Sequence, residues 1–205
     1  MKRKKLLSML IFVLVLWAGL GCAEVVRDNM AMKENMIRLH VVANSDEDAD
    51  QAVKLKVRDE INGFLQEGMK NIENAQQARS YLLSKLPELE QLANAVLSAE
   101  HFSEQAQVTL TQEAFNTRFY DTFTLPSGVY HSLRIVIGEG EGHNWWCVVF
   151  PSLCIPAASE EFEDTAVSAG LSESLAATLS GQDEYEIRFF LLECLGRIEN
   201  FFFEK

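Results

Sequence analysis

The chain is short of the residues that usually announce chemistry. Its 205 residues include only four cysteines, four prolines and four histidines. Basic side chains are scarce too, with 18 Lys and Arg against 30 Asp and Glu. Residues 1–23 hold four of those basic groups and no acidic one, so the remainder carries a net charge of −16. Such a surface repels phosphate backbones and anionic headgroups, which excludes nucleic acid as a partner. No Lys or Arg stands between Arg134 and Arg188, an interval that holds ten acidic residues. Motifs are missing as well: there is no acyl-transfer serine elbow, metalloprotease histidine pair or Walker loop. The many carboxylates lie in polar stretches, away from apolar neighbours that would raise a pKa for acid catalysis. No internal repeat or low-complexity linker is present. Nothing in the residues demands an enzyme, a metal or another cofactor.

What is there begins with a leader. Met1 to Lys5 is basic, Leu6 to Leu20 is an apolar run, and Gly21-Cys22-Ala23 supplies small residues. That is the layout of a secretory signal peptide. Gly21 and Ala23 fit cleavage after Ala23. Cys22 could instead accept a lipid, and the uncharged run, near the lower length limit for a spanning helix, could be retained as an anchor. Each alternative puts the rest of the chain outside the cytoplasm, where disulfides persist. Beyond the leader stand Cys147, Cys154 and Cys194. An odd number gives one pair plus a spare thiol, or no bridge. The candidate pair, Cys147 and Cys154, closes eight residues, worth about 2.5 kcal/mol in a chain-entropy estimate.

The expected fold is α+β, in one domain over residues 36–205. It has a mixed or antiparallel sheet of four or five strands and helices packed mainly on one face. Ile37, Leu39 and Val41 alternate as a strand, and Val53, Val57, Ile61, Phe64 and Leu65 then recur at helical spacing. Asn74 and Gln77 suit a capping box. Pro87 interrupts the following stripe, so two short helices in series are expected there. Val108 and Leu110 mark a strand running on towards Tyr120. From Leu125 to Pro156 the pattern reads as a β-hairpin: Val129 to Ile137, a turn at Gly138, Gly140 and Gly142, and a return strand from Trp145 to Phe150. That return strand is apolar on both sides, which predicts a central position. Residues 157–184 form an acidic, loosely ordered connecting segment with one weak helix near Val167 to Leu179. Ile187, Phe190, Leu191, Cys194, Ile198 and Phe201 define a final amphipathic helix, its stripe and the terminal phenylalanines read as a cap on the core.

Several sites can be weighed on residue type alone. The glycine triplet has the wrong spacing for a dinucleotide loop, and Glu139 and Glu141 would repel a phosphate. His131 or His143 with Cys147 would make a cysteine hydrolase, but Cys147 sits among apolar residues that favour an inert thiol or a disulfide. His131, His143, Cys147 and Cys154 are ligand types for zinc without the paired spacing. Trp145 and Trp146 must point to opposite faces of a strand, so one can serve the core and the other a contact surface.

Three stretches together resemble one known family. They are Ile37 to Asp46 continuing through Gln51 to Asp59; Leu125-Pro126-Ser127-Gly128-Val129-Tyr130 with Leu133-Arg134-Ile135; and Gly138 to Cys154, with Asn144-Trp145-Trp146-Cys147-Val148-Val149-Phe150-Pro151 at its centre. The family is stage II sporulation protein R. The resemblance implies a non-enzymatic signalling protein, exported from the forespore into the space before the mother cell. There it would trigger a membrane-embedded aspartyl protease, stage II sporulation protein GA, to process the precursor of sigma factor E. The motif residues His40, Asn44, Ser45, Asp46, Asn144, Trp145 and Trp146 are the candidates for partner contact.

Overall fold

Ile37, Leu39 and Val41 alternate with Arg38, His40 and Val42, and this strand, β1 (Ile37–Val42), is buried at all six positions. Its neighbours are β2 (Ala106–Phe115), β5 (Gly128–Ile137) and β6 (Asn144–Phe150). A separate two-stranded sheet pairs β3 (Arg118–Phe119) with β4 (Thr124–Leu125). The computed structural model describes residues 9, 12, 21, 23–120, 122–153, 162–181 and 186–203. Its helices are α1 (residues 23–35), α2 (Asp48–Gly68), α3 (Ala75–Ala99), α4 (Phe162–Ser168), α5 (Glu173–Leu179) and α6 (Glu186–Phe203).

The main sheet has the order β2–β5–β1–β6. β1 runs parallel to β5 and antiparallel to β6, while β2 and β5 are antiparallel. A parallel pair needs a long crossover; α2, α3 and β2 supply it. The mixed four-stranded sheet with helices bears out the α+β class. The helices, however, cover both faces. Ile37, Leu39, Val41, Leu133 and Ile135 meet Val53, Val57 and Ile61 of α2 and Leu82, Leu89 and Leu97 of α3. The other face sets Phe115, Tyr130 and Val148 against Met32 of α1, Phe162 of α4, Leu175 of α5 and Leu192 of α6. Each large apolar side chain buried this way contributes about 1.5–3 kcal/mol. Two apolar surfaces on one sheet need two helical layers, which corrects the one-sided packing expected from sequence.

The hairpin is also corrected. β5 and β6 are not neighbours, because β1 lies between them. Residues 138–143 therefore step across the end of β1 rather than turning back on β5. β6 is an edge strand of this sheet, not a central one. Its apolar residues divide between the two cores, Cys147 and Val149 on one side and Val148 on the other.

Three helices differ from expectation. Half of the capping box forms: Gln77 N donates to Asn74 Oδ1 at 3.0 Å, but Gln77 Oε1 accepts from Glu73 N at 3.1 Å, one residue before the cap. α3 then runs through Pro87 without breaking. Pro87 is exposed, so its ring meets solvent while Leu82, Leu89 and Ala93 keep the inner face packed. The single helix near 167–179 is two, α4 and α5. They are separated at Gly170, whose φ of 101° suits glycine, and α5 restarts where Ser172 Oγ accepts from Leu175 N at 3.2 Å. Finally, the apolar stripe of α6 faces outward: Ile187, Phe190, Ile198 and Phe201 are exposed.

The leader lies outside the described residues apart from 9, 12, 21 and 23. Among the described residues, no helix is long and apolar enough to cross a membrane.

Candidate functional site

The motif residues converge at the C-terminal end of β1. A parallel neighbour finishes at this end, and an antiparallel neighbour starts there. Val42 accordingly stands opposite Val136 of β5 and Asn144 of β6. The residues after β1 hold the 138–143 crossover by backbone bonds, from Gly142 N to Ala43 O and from Glu141 N to Asn44 O, each 3.0 Å. Asn44 adds a side-chain clamp. Its Oδ1 accepts from Glu139 N at 3.0 Å, and its Nδ2 donates to Asp50 Oδ2 at 2.9 Å. Ser45 Oγ donates to the same Asp50 oxygen at 2.6 Å, tying the loop to the first turn of α2.

This contact explains the glycine triplet. A Cβ on Gly138 would lie 2.2 Å from Asn44 Oδ1, and one on Gly142 would lie 2.1 Å from Ser45 O. The glycines allow two loops to touch; they form no phosphate cradle. Asp46 closes the clamp by accepting from His143 N at 2.6 Å and pairing with His143 Nδ1 at 2.5 Å. The His143 side-chain bond, then its backbone bond, holds the Asp46 carboxyl below the usual range. Lys54, almost wholly buried on α2, donates to His143 O at 2.9 Å and to Gln51 Oε1 at 2.6 Å. Burial lowers its pKa, partly offset by Asp46.

Below the clamp, the two tryptophans point to opposite faces. Trp145 packs on the α2/α3 core with the Arg58 guanidinium 4.8 Å from its ring centre. Trp146 stacks on His40 at 3.6 Å, meets Phe115 edge-on at 5.0 Å and carries the Arg118 guanidinium at 4.7 Å. His40 Nδ1 lies 3.4 Å from the Glu113 carboxylate, which Arg134 also approaches at 3.4 Å. Burial pushes Glu113 up, but the adjacent His40, the neighbouring Ser132 hydroxyl and the Arg134 guanidinium outweigh it, leaving the group below its ordinary value. Behind them Arg38 is fully buried between Phe115 and Tyr130, donating to Tyr120 Oη at 3.2 Å.

At the surface, Asp46, Arg118, Glu141, Gly142, His143, Asn144 and Trp146 line a cleft of about 360 Å³. The seven motif candidates thus gather around one end of the sheet but divide by role. Asn44 and Ser45 are occupied in holding the loops. His40 supports Trp146 from beneath, and Trp145 serves the other face. Asp46, Asn144 and Trp146 reach the cleft. Sequence reasoning missed Arg118, Glu113 and His143's pairing with Asp46. The one signal for Arg118 was a basic residue beside aromatics in an acidic chain.

Among the described residues, neither candidate histidine is brought to Cys147: His143 is exposed and pairs with Asp46, whereas Cys147 is buried. Cys147 stands opposite Leu39, and His131 opposite Ile37 on the far side of β1. Strand spacing separates those two by about 12 Å. Cys154, needed for the candidate disulfide, lies outside the described residues. Among the described residues, no group of three His, Cys, Asp or Glu side chains could hold a metal ion.

A model of the stage II sporulation protein R family matches residues 33–160, from the end of α1 through β6. The chain belongs to the stage II sporulation protein R family. The match contains the whole clamp and cleft. Stage II sporulation protein R of Bacillus subtilis (strain 168) is 30% identical over 222 residues, covering 96% of this chain and 98% of its own length. No solved structure matches.

Proposed function

We propose that the chain is an exported signalling protein of sporulation that triggers the membrane-embedded aspartyl protease, stage II sporulation protein GA, to process the precursor of sigma factor E. The observation that carries this reading is family membership over the residues that build the clamp and cleft. The site fits a binding role, being a hydrogen-bonded sheet end that presents Trp146, Arg118, Asn144 and His143 around one surface cleft. A ligand of this kind acts by binding one state of its receptor more tightly than another.

Export from the forespore and a Cys147–Cys154 bridge belong to the same reading. The leader's layout supports export. The disulfide-bonded state of Cys147, with Cys194 free, supports the bridge. In a spore former lacking this chain, expression confined to the forespore is expected to restore precursor cleavage in the mother cell. Cleavage that proceeds without the chain, or stays absent after its expression, would count against the reading.

A further inference from the structure

Arg118 is anchored at its backbone and unanswered at its head. Its strand, β3, pairs with β4 so that Arg118 stands opposite Leu125, which is fully buried. The turn beyond is closed by Tyr120 N donating to Phe123 O at 2.9 Å, with the two rings stacked at 4.5 Å. The guanidinium lies over Trp146, 4.7 Å from the ring centre, and that ring is itself backed by His40 at 3.6 Å. A guanidinium held on an aromatic face keeps its N–H edge for a planar acceptor. Among the described residues no acceptor meets it: Nε is sealed from solvent without a hydrogen-bond partner, and the side chain makes no ion pair. Arg58, Arg134, Arg188 and Arg197, by contrast, each meet a carboxylate. The acids of the cleft do not serve Arg118. Asp46 is engaged twice by His143, and Glu141 stands exposed on the crossover. A sealed donor left without an acceptor works against folding. Its retention at the wall of a cleft points to an acceptor from outside the chain.

We infer that the cleft receives one carboxylate side chain of the partner, bound by the edge of Arg118 against Trp146. The inference rests on the reading above that the partner is the membrane-embedded protease. The ligand's charge is negative because Arg118 is the unpaired group fixed within the cleft. A cation would meet only Glu141, in open water, and would leave Arg118 beside a like charge. The charge is also single. Asp46 and Glu141 line the same cleft, and both would repel the second charge of a phosphate. A carboxylate matches the planar edge of a guanidinium and can accept two parallel hydrogen bonds from it. The cleft, about 360 Å³, admits a side chain but not a helix about 10 Å across. Arginine and tryptophan together are also what a buried anchor point of an interface is usually made from.

The test measures affinity of the full chain for the detergent-solubilised protease, comparing the parent with Arg118→Gln, Arg118→Lys and Glu141→Gln at low and high salt. Circular dichroism and urea midpoints run alongside. Arg118→Gln should weaken binding tenfold or more and remove most of its salt dependence. Arg118→Lys, which keeps the charge but not the planar edge, should weaken it severalfold. Glu141→Gln should tighten it severalfold, an effect that damage to the fold does not produce. A lysine scan of the acidic residues in the protease's extracytoplasmic segments should find one replacement that restores binding to Arg118→Glu. Binding undiminished in Arg118→Gln, or Glu141→Gln that fails to tighten it, would overturn the carboxylate site while leaving the proposed function intact. So would a scan without a rescuing position, the result expected if the cleft holds a free small acid instead. A parent that does not bind the protease would overturn both readings.

Discussion

Gly142 shows how a residue that looks permissive in sequence can be demanded by a contact far along the chain. A methyl group there would press on Ser45 O at 2.1 Å, a backbone atom that cannot swing aside. Gly142→Ala is therefore expected to cost about 1–3 kcal/mol, visible as a lower urea midpoint with little change in slope. The same contact explains why the roles of Asn44, Ser45 and Asp46 were not readable. Their motif marked them for attention, but their hydrogen bonds run to residues 139–143 and to α2. No local pattern reports such a pairing. The opposite orientations of Trp145 and Trp146 were legible, because a strand's two-residue period settles them. That Trp146 covers His40 and carries Arg118 depended on which strands sit beside one another. Replacing Trp146 with Ala should loosen both, by about 2–4 kcal/mol for a large, partly buried aromatic. Trp145→Ala should leave the cleft's lining in place, a contrast that fluorescence-monitored unfolding and partner binding together would resolve.

At the scale of elements, periodicity located α2, α3, α6 and the strands of the main sheet, missed α1, and could not give the strands' neighbours or the direction of an apolar stripe. Leu125 to Pro156 contains two strands joined by a glycine-rich turn, and local pattern reads that as a hairpin. β1, nearly a hundred residues earlier, occupies the place between them. The stripe of α6 was likewise visible, but its burial was inferred from a rule that α6 breaks. Its Glu193 and Glu199 bond the backbone of the Pro126-Ser127-Gly128 turn region and so hold the polar side inward. Burial raises Glu193, while bonds from Thr117, Ser127 and Arg197 outweigh it and leave its pKa below 4.5. A carboxyl depressed on folding adds stability that is complete above its unfolded value and lost as pH falls through the folded one. Acid unfolding below about pH 4.5 should thus include a Glu193 contribution, flattened in Glu193→Gln when stability is measured against pH. Pro87 gives a test of opposite sign. It is exposed inside a continuous α3 and lacks the amide proton a helix interior uses. Pro87→Ala is expected to stabilise by about 1–3 kcal/mol, read as a higher melting temperature.

The whole molecule is an acidic α+β protein whose sheet is covered on both sides. One sheet end is clamped shut, and one helix turns its apolar face to solvent. These features suit a chain that works by being bound. The clamp fixes the cleft around Trp146, and α6 leaves Ile187, Phe190, Ile198 and Phe201 exposed elsewhere on the surface. The most direct measurement reconstitutes the protease with its sigma-factor precursor in liposomes and adds the purified chain at increasing concentration. Precursor cleavage is expected to rise from a low baseline and saturate with added chain. A rate independent of the chain, or no cleavage at any concentration with protease shown to be active, would contradict the proposal.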